Sequence, residues 1–250
     1  MLDPKKRFSD RVAEYVRWRP RYPQALVAAI AREHGLEPGH VIADIGSGTG
    51  ILSELFLENG NAVIGVEPNP EMRSAAESLL ARYRKFRSVA ASAEATGLDV
   101  SSVDWVTAGQ AFHWFNADKA KPEFKRILKP GGRVVLIWNE RRSDTPFLRE
   151  YELMLGEFGT DYAQVQHRDG TQDMRLDKFL TDMKLHRFDN AQSFDFEGLK
   201  GRLLSSSYAP QSGHPKHEPM LRAVRKLFDK HAANGAVEFI YDTHAYVGKV

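Results

Sequence analysis

The chain has 250 residues, a length that fits one or two domains and buries enough surface to fold without disulfides. It contains no cysteine, which excludes disulfide scaffolds, thiolate metal sites and a cysteine nucleophile. Lys and Arg number 35 against 33 Asp and Glu, so the formal net charge is only +2, which argues against nucleic acid as a partner. No apolar run approaches the ~18 residues of a membrane span, and no apolar segment follows the N-terminal charges. We therefore expect a cytoplasmic protein without a membrane partner, either a monomer or a homodimer.

Strands and helices are predicted to alternate along the first half of the chain. Two N-terminal helices are expected, one over residues 9–19 and one after Pro23. Helical spacing of apolar residues then predicts helices after the glycine-rich turn at 46–50, after Pro70 and over 116–128. The strands predicted between these helices are 41–45, 62–66, 86–90, 103–107 and 133–138. Short strands that are apolar throughout are typical of a parallel sheet covered on both faces, so the pattern predicts a doubly wound α/β fold.

The pattern changes after residue 140. Helices are predicted over 146–158, 172–182, 197–206 and 217–233, with strands over 186–196 and 237–250. These segments indicate helical decoration and strands that return to the sheet. Because the chain leaves the sheet and comes back to it, we expect one domain over residues 1–250.

The central motif is the run Asp-Ile-Gly-Ser-Gly-Thr-Gly from Asp44 to Gly50, placed between a predicted strand and a predicted helix. Its three glycines let the backbone approach a ligand closely. Ile51 stands where a dinucleotide fingerprint needs its third glycine, and no P-loop pattern is present. An acid ahead of the loop suits a ligand with a positive group better than a pyrophosphate. A tight turn with helix-capping acids is the alternative interpretation of the loop alone.

Two further acids follow neighbouring predicted strands. Glu67 ends the second strand, where an acid of a doubly wound fold can accept hydrogen bonds from both ribose hydroxyls. Glu94 follows the third strand. All three features lie at carboxyl ends of strands, where such sheets bind ligands. Together they predict a binding site, although Glu67 alone could also belong to the turn before Pro70.

At these positions the sequence resembles the class I S-adenosylmethionine-dependent methyltransferases. Residues 41–50 match the first motif of that family, Glu67 matches its ribose-binding acid, and Ala93-Glu94 match its adenine-side motif. Residues 128–132 resemble the turn before its fifth strand, so the resemblance covers about residues 41–138.

The resemblance implies a Rossmann-like fold with a seven-stranded, mostly parallel sheet and a helical cap. Its last strand, residues 237–250 here, would run antiparallel between strands five and six. The single domain would then divide into N-terminal lid helices (1–40), a cofactor-binding core (41–140), a helical cap with the sixth strand (141–235) and the final strand (236–250).

The resemblance also implies S-adenosyl-L-methionine as the cofactor and assigns residues to its parts. Asp44 would contact the amino group, directly or through water, and Glu67 would hold the ribose hydroxyls. Arg19 would reach the carboxylate, and Glu94 would bond the adenine amine. The remaining positions expected at the cofactor are Gly46, Ser47, Gly48, Thr49, Gly50, Pro68, Met72, Ala93 and Gln110.

A narrower resemblance concerns a small-molecule subgroup that includes trans-aconitate methyltransferase-like proteins. It lies in Tyr15 with residues 19–23, in residues 110–115, in Trp138-Asn139 and in residues 241–248. Tyr15 and Tyr22 could form a lid with Arg19, and Arg141 could bind an anionic acceptor with Arg19. The positions predicted to contact the acceptor are Tyr15, Tyr22, Trp114, Trp138, Asn139, Arg141 and Tyr208. Core packing explains Trp114 and Trp138 about as well.

Methyl transfer is an in-line displacement for which the protein supplies alignment and exclusion of water. His113 is the candidate general base because it follows the fourth strand, although it could instead orient the substrate or pair with a backbone carbonyl. A carboxylate acceptor would need no base. We expect no metal site, because no ligand cluster has metal-binding spacing. Two other functions stay open at this point, a non-catalytic S-adenosylmethionine-binding module and a nicotinamide-dependent oxidoreductase.

Overall fold

The computed structural model describes residues 16–160, 162 and 175–250. Seven strands lie in this part of the chain: β1 (Val41–Ile45), β2 (Ala62–Val66), β3 (Phe86–Val89), β4 (Val103–Gly109), β5 (Leu128–Arg141), β6 (Thr181–Phe194) and β7 (Val237–Lys249). They form one sheet in the order β3-β2-β1-β4-β5-β7-β6. The tyrosine predicted in the lid, Tyr15, lies outside the described residues.

The described helices are α1 (Ala25–His34), α2 (Ile51–Glu58), α3 (Pro70–Leu79), α4 (Ala117–Ile127), α5 (Pro146–Phe158), α6 (Leu176–Phe179), α7 (Phe196–Leu204) and α8 (His217–His231), with a 3₁₀ turn over Phe112–Trp114. Local sequence sets several of their ends. Side chains of Asn69, Asn116, Thr145 and Asp195 accept a backbone N–H and cap the helices that follow them.

The C-terminal strand fits into the sheet as predicted. Strands β1 to β5 pair in parallel, whereas β7 pairs antiparallel with β5 on one side and with β6 on the other. Val247 lies opposite Val135 of β5, and Ala245 lies opposite His186 of β6. The sheet therefore has six parallel strands and one antiparallel strand, as the Rossmann-like methyltransferase fold requires.

Apolar side chains form three clusters around this sheet. Leu26 of α1 and Phe56 of α2 pack on one face, and Phe124 of α4 and Phe179 of α6 pack on the other. The third cluster joins α5, α7 and α8 to the first residues of β7, with Phe239 at its centre. No helix within the described part of the chain is long and apolar enough to cross a membrane.

Three predicted elements differ from the structure. The helix predicted over 172–182 is a single turn at 176–179, and β6 begins at Thr181 instead of residue 186. Pairing of Thr181 with Lys249 holds this segment extended, so tertiary pairing outweighs the local helical spacing. Strand β5 runs from Leu128 to Arg141 instead of over 133–138, because Leu128 pairs with Val103 at its start and β7 pairs with it as far as Arg141. Residues 9–15 and 172–174 of the predicted helices lie outside the described residues.

Candidate functional site

A cleft of about 480 Å³, part of it open to solvent, lies at the carboxyl ends of β1 and β4. The glycine loop after β1 forms one wall, and the segment before α1 contributes another. Its lining residues are Arg19, Pro20, Tyr22, Asp44, Gly46, Ser47, Gly48, Thr49, Ile51, Leu52, Gly109 and Gln110. Eight residues predicted from the sequence to contact the cofactor or the acceptor are therefore brought together here.

The glycine loop is held against the end of β2. The amides of Gly46 and Ser47 donate to the carbonyl oxygen of Val66, at 2.8 and 3.3 Å. The amide of Gly48 donates to Oε2 of Glu67 at 2.9 Å. Gly46 and Gly48 both have positive φ, a conformation that side-chain-bearing residues rarely adopt. The glycines are thus required by the loop conformation that ties β1 to β2.

Asp44 is fully buried at the base of the cleft. Its carboxylate accepts hydrogen bonds from the hydroxyl of Ser53 at 2.6 Å and from that of Thr107 at 3.2 Å. Burial raises the pKa of Asp44 to about 6, because a charged carboxylate is poorly solvated there. A cationic ligand group would relieve this penalty, so the residue is suited to an ammonium.

Glu67 connects the loop to the segment after β2. It is 8% exposed, and its second oxygen accepts the amide of Asn69 at 2.8 Å. Burial raises the pKa of Glu67, while the two backbone amides oppose that rise. The carboxylate is therefore fixed in position, with lone pairs remaining for hydroxyl donors.

The other residues predicted at the adenine lie along the same edge. Met72 and Ala93 are buried, and Pro68 is half-buried. Glu94 accepts the amide of Asn116 at 2.8 Å, which connects the loop after β3 to the start of α4. Like Glu67 and Gly50, none of these four is among the residues that line the described cleft, so contact of all six with a cofactor stays a prediction.

Two further observations indicate that the cleft suits a polar ligand. The hydroxyl of Thr49 is buried and has no hydrogen-bond partner among the described residues. A Cβ atom added to Gly48 would meet no atom within 4 Å, so space lies open above the loop. Buried polar groups are normally hydrogen-bonded, and a bound ligand would satisfy the Thr49 hydroxyl. Together with Asp44 and Glu67, these features fit a ligand with an amino group and ribose hydroxyls.

A doubly wound sheet with this loop and these acids defines a nucleoside-binding α/β protein. Residues 43–136 match the model of the methyltransferase domain family. The chain is 33% identical over 231 residues to an uncharacterised methyltransferase of Mycobacterium tuberculosis, covering 90% of this chain and 87% of that protein. A methyltransferase-like protein of Schizosaccharomyces pombe is 28% identical, covering 96% and 94% of the two chains.

Solved structures share the fold. A protein of Anaeromyxobacter dehalogenans described as a type II methyltransferase superimposes with a TM-score of 0.70 at 21% identity, covering 92% of this chain and 97% of that one. A phosphoethanolamine N-methyltransferase of Haemonchus contortus, solved with S-adenosylhomocysteine, gives 0.53 at 14% identity, covering 96% and 57%. The chain belongs to the methyltransferase family, and its cofactor is S-adenosyl-L-methionine.

When bound, this cofactor supplies a methyl group on a positively charged sulfur. The chain supplies the binding and orienting groups. Asp44, Glu67 and Thr49 are the residues that would hold the cofactor's polar groups, and Gly46 and Gly48 would let the backbone lie close to it. No protein nucleophile is needed for such a transfer.

Several predicted acceptor residues have structural roles in the described part of the chain. Trp138 is 2% exposed and packs in the core against Phe112 and Tyr246, so the structure places it away from the cleft. Asn139, on the opposite face of β5, accepts hydrogen bonds from Asn190 and Thr243 and donates to the carbonyl of Arg21. It therefore joins β5, β6 and β7 to the segment before α1.

Tyr22 and Gln110, which were predicted to contact the acceptor and the cofactor respectively, both line the cleft. The Tyr22 hydroxyl lies so close to Gly109 that a Cβ atom there would overlap it. Gln110 has a φ of 54°, unusual for a residue other than glycine, and its side chain donates to the carbonyl of Asn139 at 2.9 Å. Backbone strain of this kind is often found at binding sites.

His113 and Trp114 lie in the 3₁₀ turn after β4, with their ring centroids 4.8 Å apart. Both are half-buried. Neither is among the residues that line the described cleft. A base role for His113 and a substrate contact for Trp114 therefore stay predictions.

Arg141 and Tyr208 lie together in a buried region under the C-terminal helices. Arg141 pairs with Glu152, and the two side chains are 12% and 24% exposed. Arg202 lies in the same region, and sequence reasoning did not find it. Its place in a predicted helix gave no signal, because its partner Tyr241 comes from a distant strand.

Glu33, His34 and His186 bring three potential metal-ligating atoms within 4.8 Å of one another. The two histidine Nε2 atoms are hydrogen-bonded at 2.8 Å, and Glu33 pairs with Lys184 and Arg32. These contacts account for the trio without an ion. The sequence spacing could not show the trio, because 152 residues separate the two histidines.

Proposed function

We propose that the protein transfers the methyl group of S-adenosyl-L-methionine to a small molecule that carries a carboxylate. The observation that carries this proposal is Arg19, which lines the same cleft as Asp44 and the glycine loop, with Arg141 left for the acceptor where Arg19 holds the cofactor's own carboxylate. A guanidinium at that place matches the geometry of a carboxylate, which it can bind through two parallel hydrogen bonds. Arg141 supports the proposal from the adjoining buried region.

The chemistry of such an acceptor fits the residues of the cleft. A carboxylate is already ionised at neutral pH, so no general base is needed. His113 is therefore not required for the transfer, and it keeps a positioning role in the proposal. Alignment of the acceptor with the cofactor and exclusion of water would supply the rate acceleration.

Binding of the demethylated cofactor, S-adenosylhomocysteine, tests the cofactor half of the proposal. We expect Glu67→Ala to weaken binding by at least about tenfold, because each hydrogen bond to a charged group contributes about 1.5–3 kcal/mol. Glu67→Gln, which keeps one acceptor oxygen, should lie between Glu67→Ala and the unmodified protein. Titration calorimetry measures all three.

Glu77→Ala is the matched control, because Glu77 is an exposed acid on α3 with the same charge. It should bind S-adenosylhomocysteine as the unmodified protein does. Equal affinities for Glu67→Ala and Glu77→Ala would contradict the assigned role of Glu67. Turnover of labelled cofactor with a panel of small carboxylic acids and their amides tests the acceptor half, and preference for the amides would overturn it.

A further inference from the structure

A buried group of arginines and tyrosines lies where the C-terminal helices meet the end of β5. It consists of Arg141 at the end of β5, Tyr151 of α5, Arg202 of α7 and Tyr208, and we call these four residues the arginine–tyrosine cluster. Tyr151 is fully buried, and Arg202 is 5% exposed. Charged side chains are rarely buried to this extent unless they are paired.

Arg202 has no carboxylate partner within residues 16–160, 162 and 175–250. Its Nε donates to the hydroxyl of Tyr241 at 3.3 Å, and its Nη1 donates to the hydroxyl of Ser206 at 3.0 Å. Both acceptors are neutral. A buried guanidinium without a counter-ion is unfavourable, and an anionic ligand would compensate for its charge.

Arg141 has a counter-ion but retains an unused donor. Its Nη2 pairs with Glu152 and contacts the hydroxyl of Tyr162 at 3.0 Å. Its Nε is buried, and among the described residues this atom and the hydroxyl of Tyr151 find no hydrogen-bond partner. The guanidinium also lies over the Tyr151 ring, with its central carbon 5.0 Å from the ring centroid. Arg141 Nε and the Tyr151 hydroxyl are therefore two neighbouring donors that could bind an acceptor on a ligand.

The cluster borders the cofactor cleft through Arg19. Arg19 lines that cleft, and its Nη2 donates to the carbonyl oxygen of Ser205 at 3.2 Å. Ser205 is fully buried, and its own hydroxyl donates to the carbonyl of Arg202. The helical turn from Arg202 to Ser205 therefore connects the cluster to the cleft.

We propose that the arginine–tyrosine cluster binds the anionic group of the methyl acceptor, and that Arg202 selects for its negative charge. This inference rests on the proposed methyl transfer and adds the place where the acceptor is recognised. A carboxylate would supply the missing counter-charge of Arg202 and accept hydrogen bonds from Arg141 Nε and the Tyr151 hydroxyl. An amide of the same shape would supply no charge.

Tyr208 offers a spectroscopic signal for this occupancy. Burial raises the pKa of the Tyr208 phenol, but the charges of Arg141, Arg202 and Arg19 outweigh burial and lower it. A bound anion would compete for the same guanidinium charges. Binding should therefore raise the pKa of Tyr208, which ultraviolet absorbance of tyrosinate records and which Tyr208→Phe abolishes.

The test uses the full chain saturated with S-adenosylhomocysteine and titrated with benzoate and succinate, against benzamide and succinamide. We expect at least one carboxylate to bind, its amide to bind at least about tenfold more weakly, and the carboxylate to raise the pKa of Tyr208. Arg202→Gln should lose that preference. Arg202→Lys, which keeps the charge, should retain part of it, a rescue that a purely structural role would not give.

Arg187→Gln is the matched control, because Arg187 is an exposed arginine of β6. It should behave as the unmodified protein does. Carboxylate preference that persists in Arg202→Gln, or its absence from the unmodified protein, would overturn the inference. Affinity for S-adenosylhomocysteine separates the two proposals. If the unmodified protein does not bind S-adenosylhomocysteine, the proposed methyltransferase site is wrong. If it binds S-adenosylhomocysteine but shows no preference for carboxylates, only the proposed role of the cluster is wrong.

Discussion

At the residue scale, the fold holds two carboxylates beside the glycine loop in different surroundings. Asp44 is fully buried and accepts two side-chain hydroxyls, whereas Glu67 accepts two backbone amides. Hydroxyl donors leave Asp44 only weakly compensated, so its affinity for a proton is high. Backbone amides fix the orientation of Glu67, and they make it a positioned acceptor for hydroxyl groups.

The proton affinity of Asp44 predicts how cofactor binding depends on pH. Its pKa in the folded protein is about 6, against an ordinary value of 3.8. Between these values the folded protein holds a proton that the unfolded chain has released, so this contribution to stability is lost as pH rises through 6. A cationic amino group needs the ionised carboxylate, so affinity for S-adenosylhomocysteine should fall about tenfold per pH unit below 6.

Titration calorimetry at several pH values between 5 and 8, a range of about three units that spans the pKa of Asp44, measures how this affinity depends on pH. Asp44→Asn provides the comparison, because an amide does not titrate. That variant should bind more weakly at neutral pH and show a flat profile. Parallel profiles for the two proteins would mean that another group controls the dependence.

The loop residues were predictable from the sequence because their requirements are local. Gly46 and Gly48 must adopt positive φ, and that requirement is visible in the run of glycines itself. Arg202 was not predictable, because its significance comes from contact with Tyr241, 39 residues away, and from the lack of a carboxylate partner in the described part of the chain. Trp138 and Asn139 are adjacent and face opposite sides of β5, and only packing decides which side is core.

At the element scale, helix caps do more than end helices near the cleft. The Asn69 side chain accepts the amide of Met72 and caps α3, while its own amide donates to Glu67. Asp195 caps α7 in the same manner by accepting the amide of Gly198. It follows β6 at the edge of the sheet, whereas the glycine loop follows β1 near the middle of the sheet. The Asn69 cap thus fixes a helix and the segment that carries Glu67, whereas the Asp195 cap lies at the end of α7 remote from Ser205, the residue that contacts Arg19.

This difference predicts a separable effect of two cap substitutions. Asn69→Ala and Asp195→Ala should each lower the free energy of unfolding by about 1 kcal/mol, because each loses one N-cap hydrogen bond. Only Asn69→Ala should also weaken binding of S-adenosylhomocysteine, since the segment that holds Glu67 becomes less ordered. Urea unfolding and calorimetry measure the two quantities, and equal affinities would show that Glu67 is positioned without the cap.

The sheet edge shows why other elements could not be predicted. Residues 176–179 and the start of β6 were expected to form one helix, because their apolar spacing is helical over a short window. Pairing along the whole of β7 decides otherwise, and that partner lies more than 50 residues further along the chain. Element type is least predictable where the pairing partner is remote in sequence.

At the scale of the whole molecule, β7 connects the three apolar clusters. Phe239 and Tyr241 belong to the cluster under the C-terminal helices, Tyr246 packs with one face of the sheet, and Ala245 and Val247 pack with the other. The strand is also hydrogen-bonded on both edges. We therefore propose that the cap and the sheet unfold as one unit.

This proposal predicts one cooperative transition and a particular response to a substitution in the cluster under the C-terminal helices. Phe239→Ala should lower the free energy of unfolding by about 3–5 kcal/mol, because a fully buried ring is removed from the cap cluster. Trp105 and Trp138 lie in the two sheet clusters, whereas Trp18 packs against the cluster under the C-terminal helices. Fluorescence is therefore measured in a Trp18→Phe background, where it reports on the sheet. If the cap and the sheet unfold as one unit, the fluorescence and circular dichroism midpoints in urea should shift together. The control Val100→Ala, at an exposed site, should shift neither midpoint. A cap that unfolds separately would instead leave the tryptophan midpoint unchanged and split the dichroism curve into two transitions.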